Sequence, residues 1–119
     1  MGLFNKKSKD TASSSGGENY LKISMTKDEA EYTFLLEGRL DTITSPDLES
    51  RINEVVGDAQ KLILDFSKLD YISSAGLRVL LGALQDMEEK EGKMLIRNPT
   101  KAIQEVFKLT GFSRIFKTE

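Results

Sequence analysis

Cysteine and histidine are both absent from the 119 residues of this chain. The first absence removes disulfides, thiolate nucleophiles, iron–sulfur clusters and cysteine zinc sites, and the second removes imidazole ligands and imidazole general bases. Reactive equipment is thereby confined to Ser and Thr hydroxyls, carboxylates, Lys, Arg and Tyr, and a metal would need an oxygen cage of the magnesium or calcium kind. Long apolar runs are missing too. A membrane span needs about 20 consecutive apolar residues, and the richest stretch, from Leu77 to Leu84, is interrupted by Arg78 and Gly82. Insertion into a membrane is therefore not expected. The amino end, Met1 to Lys7, has no apolar signal core, and Lys6 stands where a myristoylation motif wants Ser or Thr, which disfavours export and lipidation. Excess charge is lacking as well: 17 Lys and Arg against 19 Asp and Glu give −2, too little to imply direct nucleic-acid binding or coating of an anionic membrane. A cysteine-free chain suits the cytoplasm.

What is present is globular. Hydrophobic residues make up 39% and charged residues 30%, with nine Gly and two Pro, in a mass of 13.3 kDa that suits one compact domain. The first 19 residues, with Ser13-Ser14-Ser15-Gly16-Gly17 and three lysines, offer little to bury and are expected to form a flexible tail preceding a domain over 20–119. Tyr20, Leu21 and Ile23 start a strand, and Tyr32, Phe34 and Leu36 alternate as a half-buried strand does, so the two form a hairpin. Gly38 to Thr42 is expected to break that second strand. Ser45 then caps a helix with Pro46 at its first position and Leu48, Ile52, Val55 and Val56 as its inward stripe.

Lys61 to Phe66 is nearly continuous in apolar residues, as expected of a central strand covered on both faces. Ser67 to Ile72 links it to a helix from about Ser74 to Lys90, in which Leu77, Leu80, Leu81, Leu84 and Met87 recur at helical spacing. A strand at Met94 to Ile96 follows. Asn98-Pro99 starts the last helix, with Ala102, Ile103, Val106 and Phe107 inward and Gly111 as its left-handed terminus. The expected architecture is α/β: a small mixed sheet of about four strands packed with helices, in the order β-β-α-β-α-β-α. The first pair is antiparallel and the later strands, joined by helical crossovers, are parallel.

The most distinctive stretch is Ser73-Ser74-Ala75-Gly76. It places two hydroxyls at a helix amino end, where unpaired N–H groups and the helix dipole favour negative charge. Serine is also among the best N-caps, so either hydroxyl has a purely structural explanation. Gly76 inside the first turn costs about 1 kcal/mol relative to Ala and calls for an offsetting close approach. The approaching body is either a neighbouring strand or another protein reaching the adjacent serine. Asp65 and Asp70 are read as turn or cap residues, with no metal and no cofactor assigned.

The stretch from Leu69 to Leu81, Leu-Asp-Tyr-Ile-Ser-Ser-Ala-Gly-Leu-Arg-Val-Leu-Leu, resembles the signature of STAS domains, especially the bacterial anti-sigma factor antagonists. Gly38-Arg39-Leu40-Asp41, followed by Thr44 and Leu48, resembles the family's turn into its first helix. Asn98-Pro99 through Leu109-Thr110-Gly111-Phe112 resembles its carboxy-terminal helix. The resemblance covers about residues 20 to 117 and implies a single STAS-like domain.

It also implies a non-enzymatic module that works by partner switching. In such proteins the unmodified form binds an anti-sigma factor that is also a serine kinase, phosphorylation of one serine ends that binding, and a PP2C-type phosphatase restores it. Carried over by position, the acceptor is Ser74. Family members typically place Asp before the acceptor and Ser or Thr after it. This chain has Ser73 and Ala75 there, which makes Ser73 a second candidate. The implied docking surface comprises Asp41, Thr42, Ser73, Gly76 and Leu77, on a cytoplasmic protein that is monomeric when free. The alternatives are a constitutive STAS adaptor in a lipid-transport or signalling scaffold and, ranked last, a phosphate-ester hydrolase using Ser74 with Asp41 or Asp70.

Overall fold

The computed structural model describes Ala12–Ser13 and residues 20–119. Most of the tail expected over 1–19 lies outside the described residues; the exception, Ala12–Ser13, forms a two-residue strand, β1. Then come β2 (Leu21–Asp28), β3 (Glu31–Leu40), α1 (Ser45–Val55), β4 (Lys61–Ile72), α2 (Ser74–Glu89), β5 (Lys93–Arg97) and α3 (Lys101–Thr110), with a single 3₁₀ turn at Phe112–Arg114. The four main strands and three helices follow the expected order. The strands lie in the sequential order β1-β2-β3-β4-β5, antiparallel from β1 to β3 and parallel from β3 to β5.

Side-chain alternation decides the layering. Leu21 and Ile23, Tyr32, Phe34 and Leu36, Leu62 and Leu64, and Met94 and Ile96 all project to one face. There they meet Leu48, Ile52 and Val55 of α1, Leu77, Leu80, Ala83 and Met87 of α2, and Ile103 and Phe107 of α3 in a continuous core. The crossovers through α1 and α2 both advance in the same direction across the sheet, so right-handed connection puts both helices on that face. Each fully buried Leu, Ile, Val or Phe contributes about 1.5–3 kcal/mol relative to exposure. β4 is central, between β3 and β5, as expected, and Leu62, Ile63 and Leu64 are all fully buried.

Two strands run further than the residue pattern predicts. Gly38 does not end β3. It lies within the strand at φ +118°, beside a register shift, and a Cβ there would sit 2.4 Å from the Tyr20 carbonyl oxygen. Glycine admits both the dihedral and the approach, so Arg39 N–H donates to that oxygen at 2.9 Å and pairing continues to Leu40. Likewise the supposed link Ser67 to Ile72 is the second half of β4: Leu69 and Ile72 stay buried while Ser67, Lys68, Asp70 and Tyr71 face solvent.

The helix starts differ too. Thr44, not Ser45, is the N-cap residue of α1, and Thr100 rather than Asn98 caps α3, accepting from Ile103 N–H at 3.4 Å. Asn98 stands before the helix in a left-handed conformation, φ 55°. Ala102 is exposed, since the inward stripe of α3 is carried by Ile103 and Phe107. Gly111 closes α3 at φ +85°, as expected. Beyond it Phe116 packs on Phe107 and Phe112, and Lys117 to Glu119 return to pair along β5, with Ile96 N–H donating to the Lys117 carbonyl.

Candidate functional site

The parallel strands β3 and β4 end side by side, with Leu40 opposite Ile72. Ser73 N–H donates to the Leu40 carbonyl at 2.9 Å, so the chain leaving β4 is stitched to the end of its neighbour before it turns into α2. Both strands therefore deliver loops to one edge of the sheet, the edge from which α1 and α2 depart. Helix amino ends gathered at the carboxyl ends of parallel strands form the usual place for a site in such sheets.

The two serines divide the work. Ser73 has extended backbone, φ −98° and ψ 176°, and its Oγ accepts from Gly76 N–H at 3.3 Å, so it is the N-cap. Ser74 is the first helical residue and is exposed, and no described residue hydrogen-bonds its hydroxyl. An exposed alcohol, free of structural duty, thus stands one residue inside a helix amino end.

Across from it, Asp41 to Thr44 form a loop closed by its own hydrogen bonds. The Asp41 carboxylate accepts from Ile43 N–H and Thr44 N–H, both at 3.0 Å, folding the loop over its own side chain. Thr44 Oγ1 accepts from Asp41 N–H at 2.9 Å and donates to the Arg39 carbonyl at 2.8 Å, while Ser45 Oγ donates to the Asp41 carbonyl. Thr44 and Ser45 are buried by these bonds, and Asp41 retains only 13% side-chain exposure. Arg39 lies 3.9 Å from Asp41 and stacks over the Tyr71 ring at 4.2 Å. Asp41 is thereby a loop former, and the residues the loop presents outward are Thr42 and Ile43.

Between loop and helix runs a groove of ≈180 Å³, lined by Thr42, Ser45, Pro46 and Glu49 on one side and Ala75, Arg78 and Val79 on the other. The structure brings Thr42 and the residues flanking Ser74 together here. Gly76 and Leu77, expected on a docking surface, are buried instead. A Cβ on Gly76 would fall 2.8 Å from Ile72 Cγ1 and 2.9 Å from Leu40 Cγ. The close approach that demands glycine comes from the protein's own strand ends, and neither residue offers a side chain to a partner. Ile43 and Arg78 escaped the sequence reading. Ile43 is 60% exposed, although an apolar residue in a polar loop reads as an inward anchor. Arg78 had a usable signal, its spacing of four residues after Ser74 on a helix. Asp65 accepts from Ser67 N–H at 2.9 Å within β4, at a shift in its register with β3, and Asp70 is exposed.

Residues 22–119 match the STAS domain family model. The chain belongs to the STAS family of anti-sigma factor antagonists. BtrV of Bordetella bronchiseptica, which carries the name of an anti-sigma factor antagonist, is 31% identical over 97 residues, covering 81% of this chain and 84% of its own. The anti-sigma-B factor antagonist of Listeria monocytogenes is 22% identical over 92 residues, covering 76% and 81%. Among solved structures, the anti-sigma factor antagonist SpoIIAA in its unphosphorylated form superposes with a TM-score of 0.72 at 19% identity, over 82% of this chain and 87% of that one. The STAS fold expected from the sequence is thus the fold found. Among the described residues, no helix is long and apolar enough to cross a membrane.

Proposed function

We propose that this STAS domain is a phosphorylation-controlled switch whose acceptor is Ser74. In the unmodified state it docks on an anti-sigma factor that doubles as a serine kinase. The observation that carries this reading is the division between the two serines: Ser73 holds the helix, so Ser74 can be modified without disturbing it. In the forward step Ser74 Oγ attacks the γ-phosphorus of ATP held by the kinase, its proton passes to a base on the kinase, and ADP leaves. A PP2C-type phosphatase reverses the state by delivering water to phosphorus, releasing inorganic phosphate and regenerating the alcohol.

The added group carries nearly two negative charges, and a helix amino end accommodates them without unfolding. The penalty falls on the complex, where a dry contact meets charge and bulk. A loss of about 3 kcal/mol weakens binding roughly a hundredfold. The docking face comprises the exposed Thr42, Ile43, Ser74 and Arg78, with Asp41 and Ser73 holding its two halves from beneath. The module itself performs no catalysis and works in the cytoplasm, as a monomer when free.

The test is incubation of the purified protein with candidate anti-sigma kinases and ATP, phosphate mapping by mass spectrometry, and binding of Ser74→Ala and Ser74→Asp. Phosphate on Ser74, with binding kept by the alanine variant and lost by the aspartate variant, supports the switch. Phosphate confined to residues 1–19, or a stable complex indifferent to ATP and to both substitutions, refutes it. The indifferent complex would instead indicate a constitutive adaptor.

A further inference from the structure

We infer that Arg78 is the positioning residue for the phosphate on Ser74. By holding it, Arg78 is withdrawn from the docking face. The inference rests on the reading of Ser74 as acceptor and adds how the modification acts. Four residues apart in α2, the two residues share one helix face, with Cβ atoms about 6 Å apart, and an anion N-terminal to its cation is the favourable order for such a pair. Both are exposed, and among the described residues Arg78 has no ion pair or hydrogen bond. No existing interaction must be broken for its guanidinium to turn back one helical turn.

Charge around the groove sharpens the assignment. Among the described residues that line it, Arg78 is the one cationic side chain and Glu49 of α1 the one carboxylate. Near the strand ends, Asp41 is committed to its loop and to Arg39, and Asp70 of β4 is exposed. Arg39 is engaged over Tyr71. A phosphate on Ser74 thus has, among the described residues of its own helix, a single uncommitted cation, one turn away. The planar fork of arginine matches two phosphate oxygens at once, which a lysine ammonium does not. In the unmodified chain the same guanidinium is free for an acidic group on the docked protein. Modification therefore adds an anion and takes away a cation at one stroke.

The test uses the full chain with phosphoserine installed at position 74 during translation, so that no kinase is needed. Its phosphorus resonance is titrated in the native sequence, in Arg78→Lys and in Arg78→Gln. The second ionisation of the phosphate is expected to lie lowest with Arg78, intermediate with lysine, and higher by about half a pH unit with glutamine, the size of an exposed charge pair. Identical titration of the native and glutamine proteins overturns the inference. Because the phosphate is placed by synthesis, a chain that no kinase modifies would refute the switch while leaving this result standing. Arg78 is exposed, so the substitutions leave folding intact.

Discussion

Replacing each serine of the pair by alanine separates the structural duty of Ser73 from the regulatory duty proposed for Ser74. Ser73→Ala removes the side-chain acceptor that caps the start of α2, leaving Gly76 N–H without its partner among the described residues. Loss of an N-cap costs about 0.5–2 kcal/mol. The bond measures 3.3 Å, longer than the usual N–H···O distance, so a loss near 1 kcal/mol is expected. For a domain of this size that lowers the melting temperature by about 4–8 °C. Ser74→Ala deletes an exposed hydroxyl with no described partner, and alanine is the better helix former, so stability should stay within about 0.5 kcal/mol of the native protein. Calorimetric melts of the two single variants and the double variant measure this, and the double variant should match Ser73→Ala. If Ser74→Ala proves the more damaging, the assignment of the cap is wrong. Ser74 would then carry a structural duty and would not be free for modification.

Other expectations concern the scaffold beneath the site. Gly76→Ala gains about 1 kcal/mol of helix propensity but forces a methyl against Ile72 and Leu40, an overpacking worth about 1–3 kcal/mol, so a net loss is expected in chemical denaturation. Gly82→Ala, in the same helix with nothing within 4 Å of the new methyl, should gain about 1 kcal/mol; equal effects at the two positions would contradict the packing account. Asp41→Ala strips the acceptor from Ile43 and Thr44 N–H and should cost about 1–2 kcal/mol, with faster hydrogen exchange at those amides. Asp41→Asn retains a carbonyl acceptor and should preserve most of the loop. Loss of the loop in the asparagine variant would show that charge, not hydrogen bonding, holds it.

Period and punctuation carried much of this protein in plain view. Alternation at Tyr32, Phe34 and Leu36, the apolar run at Leu62 to Leu64 and the helical spacing from Leu77 to Met87 each specify an element through local geometry. Their order then limits the sheet to parallel crossovers after one hairpin. The stretch Ser73-Ser74-Ala75-Gly76 likewise marks the start of α2 and the candidate site in the sequence.

What depended on neighbours distant in the chain was decided only in three dimensions. Gly38 reads as a breaker until the Tyr20 carbonyl is placed against it, and Gly76 reads as a possible docking point until Leu40 and Ile72 are seen to fill the space. Which serine caps α2 followed from the backbone angles at Ser73, themselves fixed by its bond to Leu40 on another strand. The exposure of Ile43 depended on a hydrogen-bonded loop that turned Thr44 and Ser45 inward. Residue type and spacing set which elements form, because those follow from local sterics and burial. Which side of each element meets protein and which meets solvent is a property of packing between segments, and only the folded chain contains it.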